Sequence, residues 1–217
     1  MKLNINEVFR RIKWLIIPYL LVLCICLVIK LVFTRETIYF TVNAINSPFA
    51  DFLAPFVTDL GNGWFAVIIA AVLALFSYRK AFLVVTSWGI TAIVAQVLKY
   101  IFAAPRPKLY FKDQLSRIHF VKAVEILSFH SFPSGHTVTA FSLAVLFTYW
   151  SKNKGWGPVF LLMAIMVGYS RMYLSEHFFE DVTAGSVIGV IITVIWLYWL
   201  DNRAFIQRPQ WQRGLLG

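Results

Sequence analysis

Residues 14–33 read WLIIPYLLVLCICLVIKLVF, an uninterrupted apolar stretch except for Lys30 near its end. Roughly 20 mainly apolar residues make a helix long enough to cross the ~30 Å hydrocarbon core of a bilayer. A lysine close to a helix end can extend its long side chain to the interface. No cleavage pattern of small residues follows Phe33, where Thr34-Arg35-Glu36-Thr37 stands instead. This stretch is therefore predicted to be a retained membrane helix and not a signal peptide.

The composition of the whole chain of 217 residues also indicates a membrane protein. Apolar residues make up 59% of the chain and charged residues 14%, and the mean hydropathy is +0.72. A soluble domain carries about 25% charged residues, so this chain lacks the charges that a water-exposed surface needs. The composition also excludes a disordered chain and, with two cysteines, a disulfide scaffold.

Further apolar runs between charges and turn signals continue this pattern. We predict an all-α, polytopic membrane protein with six transmembrane helices, forming a single membrane-embedded domain over residues 1–217. A long extracytoplasmic loop, residues 104–132, is expected between helices three and four. Its middle, residues 111–126, fits either a short interfacial or lid helix or a solvated connector. The six predicted spans are residues 14–33, 63–77, 81–103, 137–150, 158–170 and 182–200.

The distribution of charge predicts the orientation. The net charge of +10 lies mostly in short segments that flank the apolar runs, which is typical of anchoring at a lipid surface and not of nucleic-acid binding. An even number of spans places both termini on one side. Eleven of the 20 Lys and Arg residues fall on that side, with only Glu7 and Asp201 of the acids. The positive-inside rule therefore predicts cytoplasmic termini in the inner (plasma) membrane.

Three polar clusters interrupt the apolar chain at helix ends that, by counting spans, all face away from the cytoplasm. Because cations near a bilayer are costly without a counter-charge, their convergence predicts an anion site. The clusters lie in residues 99–107, with Lys99, Arg106 and Pro107; in residues 133–136, Pro133-Ser134-Gly135-His136; and in residues 170–181, with Ser170, Arg171, His177 and Asp181.

The residue types in these clusters suit a phosphoryl group. Arg offers a planar fork to phosphate oxygens and Lys a point charge. Ser134-Gly135-His136 opens a helix, where free backbone N–H groups point toward a bound anion and glycine permits close approach. Lys99, Arg106 and Arg171 are thus expected to surround a tetrahedral anion whose charge spreads in the transition state.

Two histidines, His136 and His177, indicate which reaction the site could carry out. His177 and Asp181 are four residues apart, so on a helix the carboxylate would hold one ring nitrogen protonated and leave the other as nucleophile or base. His136, from a different helix, could protonate a departing oxygen. Two histidines beside an anion indicate displacement through a phosphohistidine.

Other readings of the same residues remain open. Taken singly, the features fit a stabilising i,i+4 pair, a turn with an N-cap, and interfacial anchors. A zinc site at His136, His177 and Asp181 is a more specific alternative, which the three neighbouring cations disfavour. No metal and no cofactor are therefore expected.

Together, the three clusters resemble the signature motifs of the type 2 phosphatidic acid phosphatase superfamily, the membrane lipid phosphate phosphatases. The resemblance implies a metal-independent phosphatase with His177 as nucleophile, Asp181 as its orienting partner and His136 as the acid for the leaving group. In many relatives a proline lies between the nucleophile and the aspartate. Here Phe178-Phe179-Glu180 fills that stretch, which puts the local substrate contacts in question. The resemblance implies phosphate binding by Lys99, Arg106, Ser134, Gly135, Ser170 and Arg171.

The compact chain resembles bacterial members that act on undecaprenyl diphosphate, phosphatidylglycerophosphate or phosphatidic acid. Because the site is expected to face the periplasm or outside, these substrates are preferred, with lipid A phosphatase as an alternative. An anion or lipid transporter is the alternative of another class, although no related halves or broken helices support it. The expected partners are a membrane lipid substrate and the bilayer; neither nucleic acid nor a protein partner is expected.

Overall fold

The computed structural model describes residues 4–122 and 124–216, and within these residues it is helical and contains no strand. The predicted all-α class is confirmed. Two short 3-10 turns, Lys112–Arg117 and Ala204–Gln207, accompany the α-helices. The α-helices are α1 (Ile5–Val32), α2 (Arg35–Ala44), α3 (Pro48–Asp59), α4 (Gly63–Ala74), α5 (Tyr78–Phe102), α6 (Pro107–Tyr110), α7 (Gly135–Trp150), α8 (Trp156–Tyr173), α9 (Phe179–Asp201) and α10 (Pro209–Gln212).

Each of the six predicted apolar runs is largely or wholly helical in the structure. By length and composition, three segments of the described residues are suited to cross a membrane: α1, Tyr78–Tyr110 and α9. A fourth arises if α3 and α4, bent by 55° at the break between them, form one span. The chain is therefore membrane-integral, with three or four candidate spans by these criteria.

Helices α2 and α3 were not predicted, because each is shorter than a membrane span. Their starts nevertheless carry ordinary capping signals. Thr34 caps α2 by accepting a hydrogen bond from the N–H of Thr37 (3.2 Å). Ser47 caps α3, accepting from the N–H of Ala50 (3.2 Å), and Pro48 occupies its first turn.

Helix α7 forms the centre of the bundle. Nearly all of its residues are buried, as expected for a helix that is apolar on every side. It packs against α1, α5, α8 and α9. By contrast, α1 buries only one stripe, Val8, Ile12, Leu15 and Tyr19, and much of its remaining apolar surface is exposed, as suits contact with lipid.

Two glycines bring α9 close to α7. A Cβ added to Gly189 would lie 2.5 Å from the carbonyl oxygen of Val138, and one added to Gly185 would lie 2.8 Å from that of Ser134. Small residues at such positions let membrane helices approach closely. The start of α7 and the start of α9 are thereby held together.

The connection between α5 and α7 packs on the protein. Within residues 111–126 the chain forms one short 3-10 helix, Lys112–Arg117, and residue 123 lies outside the described residues. Phe111 and Ile118 are buried in a cluster with Tyr39 and Phe178. These two side chains attach the connection to the protein, while Lys112–Arg117 between them is mostly exposed.

Replacing Gly189 by Ala is expected to lower the free energy of unfolding by about 1–3 kcal/mol, because the added methyl group overpacks the α7–α9 contact. Thermal unfolding of the detergent-purified protein measures the effect. Gly89→Ala is the matched control, since a Cβ at this helical position would meet no described atom within 4 Å. An equal melting temperature for the two variants would contradict the proposed close packing.

Candidate active site

The three motifs meet at one end of the bundle, where α5 and α8 end and α7 and α9 begin. Four ionisable side chains there, Arg106, Arg171, Glu176 and Asp181, are each at most 7% exposed, and His177 is 1% exposed. Charged groups are rarely buried to this degree unless they are paired. The geometry of their pairing defines the candidate site.

The first motif follows the end of α5. Lys99 lies in the last helical turn, and Ala103 closes the helix in the left-handed region with φ 43°. Arg106 then turns inward: its Nε donates to the carbonyl oxygen of Phe129 (2.9 Å) and its Nη1 to that of Glu176 (3.2 Å). The Arg106 guanidinium is thus fixed by backbone as well as by side-chain partners.

The second motif begins α7, with Ser134 as the N-cap residue. The N–H of Ser134 donates to the carbonyl oxygen of Asp181 (3.0 Å), so this amide is not free for an anion. Gly135 and His136 lie in the first helical turn, whose amides have no partner within the helix. A Cβ added to Gly135 would lie 4.0 Å from Nζ of Lys99, which places the ammonium near this helix start.

Gly61, in the turn between α3 and α4, was not predicted to contact the site. A Cβ added to it would lie 2.5 Å from the carbonyl oxygen of His136. Glycine therefore allows the α3–α4 turn to touch the start of α7. The Gly61-Asn62-Gly63 signal in the sequence marks the turn but not this contact.

The third motif ends α8. Ser170 Oγ donates to the carbonyl oxygen of Val167 (2.7 Å), so its hydrogen is directed into its own helix. Arg171 Nη1 donates to Thr58 Oγ1 (2.9 Å), and Nη2 lies 3.3 Å from Glu176 Oε2. Nε of Arg171 is buried and has no hydrogen-bond partner among the described residues. A buried unpaired donor of this kind is rare and fits a site that receives an acceptor.

His177 and Asp181 do not share a helix face, contrary to the prediction. His177 lies in the turn before α9, which begins at Phe179. Asp181 instead bends its carboxylate back to the N–H of Phe178 (2.8 Å), a capping contact at the start of α9. The same oxygen, Oδ2, lies 3.5 Å from Nδ1 of His177, so the two side chains are paired although His177 lies outside the helix.

Ser131 is a site residue that the sequence analysis missed. Its side chain is fully buried, and Oγ donates to Asp181 Oδ2 (2.5 Å) while lying 3.5 Å from Nδ1 of His177. Ser131 therefore lies beside both members of the pair. Its position just before Pro133-Ser134-Gly135-His136 was the only available sequence signal.

Glu176, also missed, lies immediately before His177. Its Oε2 contacts the guanidinium groups of both Arg106 and Arg171. The preceding residue, Ser175, has φ 57° and accepts hydrogen bonds from Tyr39 Oη (2.9 Å) and Asn43 Nδ2 (3.3 Å). Helix α2 thereby supports the turn that carries Glu176 and His177.

His136 lies within electrostatic range of His177 and of the cations Lys99, Arg106 and Arg171. Burial lowers the pKa of His177 well below its usual range, and the neighbouring Arg106 and Arg171 lower it further. The His177 ring is therefore neutral at pH 7, with a lone pair on one nitrogen.

The remaining histidines lie elsewhere. His119 Nε2 is 2.9 Å from Asp51 Oδ1, a partner that sequence spacing did not reveal. His130 Nδ1 is 3.0 Å from the carbonyl oxygen of Lys99. In the described part of the chain, no three His, Cys, Asp or Glu side chains are grouped as they would be at a metal site.

Residues 80–205, more than half of the chain, match the PAP2 superfamily. The chain belongs to this superfamily, as predicted from its motifs.

Individual relatives agree with this assignment. Bacitracin transport permease protein BcrC of Bacillus licheniformis is 37% identical over 70 residues, which cover 32% of this chain and 33% of that protein. The chain thus spans about a third of this relative. Undecaprenyl-diphosphatase BcrC of Bacillus subtilis is 26% identical over 152 residues, 70% of this chain and 75% of that protein. The crystal structure of Aquifex aeolicus LpxE superposes with a TM-score of 0.66 at 26% identity, covering 75% of this chain and 93% of that chain.

Other matches carry the names of lipid phosphatases. They include phosphatidylglycerophosphatase B of Bacillus subtilis, 28% identical over 162 residues, which cover 68% of this chain and 74% of that protein. Lipid A 4'-phosphatase of Bacteroides thetaiotaomicron is 28% identical over 155 residues, which cover 68% of each chain. With the family assignment, these names confirm the predicted class, a lipid phosphatase.

Replacing Ser131 by Ala is expected to lower kcat about tenfold with little change in KM, because Asp181 loses a buried hydrogen bond but no phosphate-binding group is removed. Release of phosphate from a lipid phosphate in detergent measures both constants. Ser151→Ala, at the opposite end of α7, is the control. A raised KM at unchanged kcat would argue against a role for Ser131 in supporting Asp181.

Proposed function

We propose that the chain removes a terminal phosphate from a membrane lipid through a phosphohistidine formed on His177. The single observation that carries this proposal is the convergence of Arg106, Arg171, His177 and Asp181 in one buried cluster, with Lys99 and His136 in electrostatic range. Phosphoryl transfer through a phosphohistidine needs cations around the phosphoryl oxygens and an uncharged imidazole that can attack phosphorus.

Asp181 prepares the nucleophile. Its carboxylate, fixed by Phe178 N–H and Ser131, faces Nδ1 of His177. It favours the tautomer with a proton on Nδ1 and a lone pair on Nε2. Nε2 attacks phosphorus, and the bond from phosphorus to the bridging oxygen of the lipid breaks.

His136 completes the reaction from a different helix. In the first step it donates a proton to the departing oxygen, so that the lipid leaves as a neutral hydroxyl or, from a diphosphate, as a lipid phosphate. It then accepts a proton from the water that attacks the phosphohistidine. Inorganic phosphate leaves, and His177 is regenerated.

The cations hold the phosphoryl oxygens during both steps. Arg106 and Arg171 supply guanidinium donors and Lys99 an ammonium, with the amides of Gly135 and His136 at the start of α7. Nε of Arg171 has no hydrogen-bond partner among the described residues, so it can donate to a phosphoryl oxygen. Ser170, whose hydroxyl donates to the carbonyl oxygen of Val167, shapes the site and contributes less to binding. The hydroxyl of Ser134 accepts from Thr137 Oγ1 and keeps its own hydrogen for a phosphoryl oxygen.

A groove of about 240 Å³ beside Asp181 supports a lipid substrate. Phe102, Phe132 and Phe178 contribute apolar walls, and Arg35 lies at the same groove. Similarity to undecaprenyl-diphosphatase over 70% of the chain favours an isoprenoid diphosphate. Phosphatidylglycerophosphate and phosphatidic acid are joint candidates, and lipid A is the alternative.

We further propose one membrane-embedded domain over residues 1–217 that crosses the inner membrane six times, with cytoplasmic termini and an outward-facing site. Each of the six predicted runs is largely or wholly helical, and the motif-bearing helix ends lie together. The basic residues beside the termini agree with this orientation. No protein partner is needed for the reaction proposed here.

His177→Ala is expected to abolish phosphate release, since it removes the imidazole that attacks phosphorus, while EDTA leaves the wild-type rate unchanged. Free phosphate is measured with detergent-purified protein on undecaprenyl diphosphate, phosphatidylglycerophosphate, phosphatidic acid and lipid A. Turnover by the variant would exclude His177 as nucleophile. A wild-type protein that hydrolyses none of these lipids but moves an anion across vesicles would favour the transporter.

The orientation is tested with reporters fused to residue 217. A fluorescent protein that folds only in the cytoplasm is expected to be bright there, and alkaline phosphatase to be inactive. The opposite pair of results would contradict the proposed topology. It would require either an odd number of crossings or insertion in the inverted orientation.

A further inference from the structure

The carboxylate of Glu176 forms ion pairs with two cations of the candidate site. It is 3% exposed, and a single oxygen, Oε2, contacts Nη1 of Arg106 and lies 3.3 Å from Nη2 of Arg171. The two arginines that the proposed function assigns to phosphate binding are thus already bound to an anion supplied by the chain itself.

The backbone fixes Glu176 in this position. Its N–H donates to the carbonyl oxygen of Arg171 (3.0 Å), and its own carbonyl oxygen accepts from Arg106 Nη1 (3.2 Å). Ser175, in the left-handed region at φ 57°, turns the chain just before it. The backbone of the turn therefore places Glu176 between the two arginines, and its side chain makes the contact that a ligand would have to replace.

We propose that Glu176 is a specificity-determining residue, an internal carboxylate that competes with the phosphoryl group for Arg106 and Arg171. The inference rests on the proposed function. A ligand binds only if its contacts with the two arginines exceed those that Glu176 gives up. Like charges brought together in a buried site also oppose any anion that enters while the carboxylate remains.

This competition separates two classes of phosphate. A terminal phosphate presents three non-bridging oxygens and up to two negative charges, so it can displace the carboxylate. A phosphodiester presents two such oxygens and one charge, and it gains no more from the arginines than Glu176 does. Discrimination by a built-in repulsive group is an established route to specificity.

The distinction matters for an enzyme that works within a bilayer, because phosphodiester headgroups surround it at high local concentration. Without an internal competitor, the buried arginines would bind these headgroups and the site would be occupied by lipids that it does not hydrolyse. Glu176 keeps the site selective for terminal phosphates.

Glu176→Gln tests the proposal, since the amide keeps the size of the side chain and removes its charge. The inhibition constant for inorganic phosphate is expected to fall about tenfold or more in this variant, a difference of about 1.4 kcal/mol. Phosphatidylglycerol, a phosphodiester, is expected to inhibit the variant in mixed micelles but to affect the wild type no more than an equal mole fraction of a phosphate-free lipid. Glu125→Gln, an exposed acid in the α5–α7 connection, controls for net charge.

Two further measurements keep the test decisive. If Glu176→Gln is inactive, stabilisation of the folded protein by orthovanadate replaces inhibition as the readout of affinity. If it does not fold, Glu176→Asp, which withdraws the carboxylate by one methylene, is expected to show a smaller fall in the same constant.

Unchanged or weaker phosphate binding in the folded variant would overturn the proposal and make Glu176 a structural partner of the arginines. Equal inhibition of wild type and variant by phosphatidylglycerol would also overturn it. Failure of the wild type both to hydrolyse any lipid phosphate and to bind orthovanadate would instead refute the proposed function.

Discussion

The burial of two guanidinium groups at the junction of the helices is the constraint on which this structure depends. Moving such a charge out of water is costly unless an anion and further hydrogen bonds compensate for it. Glu176 provides the anion for both Arg106 and Arg171. Because these arginines belong to different segments, one carboxylate links the chain after α5, the end of α8 and the turn before α9.

The core of the bundle fixes the other half of the site. Gly185 and Gly189 let α9 approach α7, and the Ser134 N–H binds the Asp181 carbonyl where these helices begin. Gly61 brings the α3–α4 turn against His136. His136 and Asp181 are thus placed by contacts of the backbone.

The sequence predicted the helical class, the six apolar runs and the three motifs, because hydropathy and motif spacing are local properties. It did not predict α2 or α3, which are too short to register as spans. Ser131 and Glu176 were missed because their roles arise from contacts between distant segments. The His177–Asp181 pair was predicted with the wrong geometry, since the spacing of four residues was taken as helical and the helix begins only at Phe179.

The turn between α8 and α9 places the proposed nucleophile outside the helices. His177 belongs to neither helix, while Asp181 is anchored in α9. The position of the imidazole is therefore set by the backbone of this turn and by its contacts with Ser131 and Asp181, and not by a helix of its own.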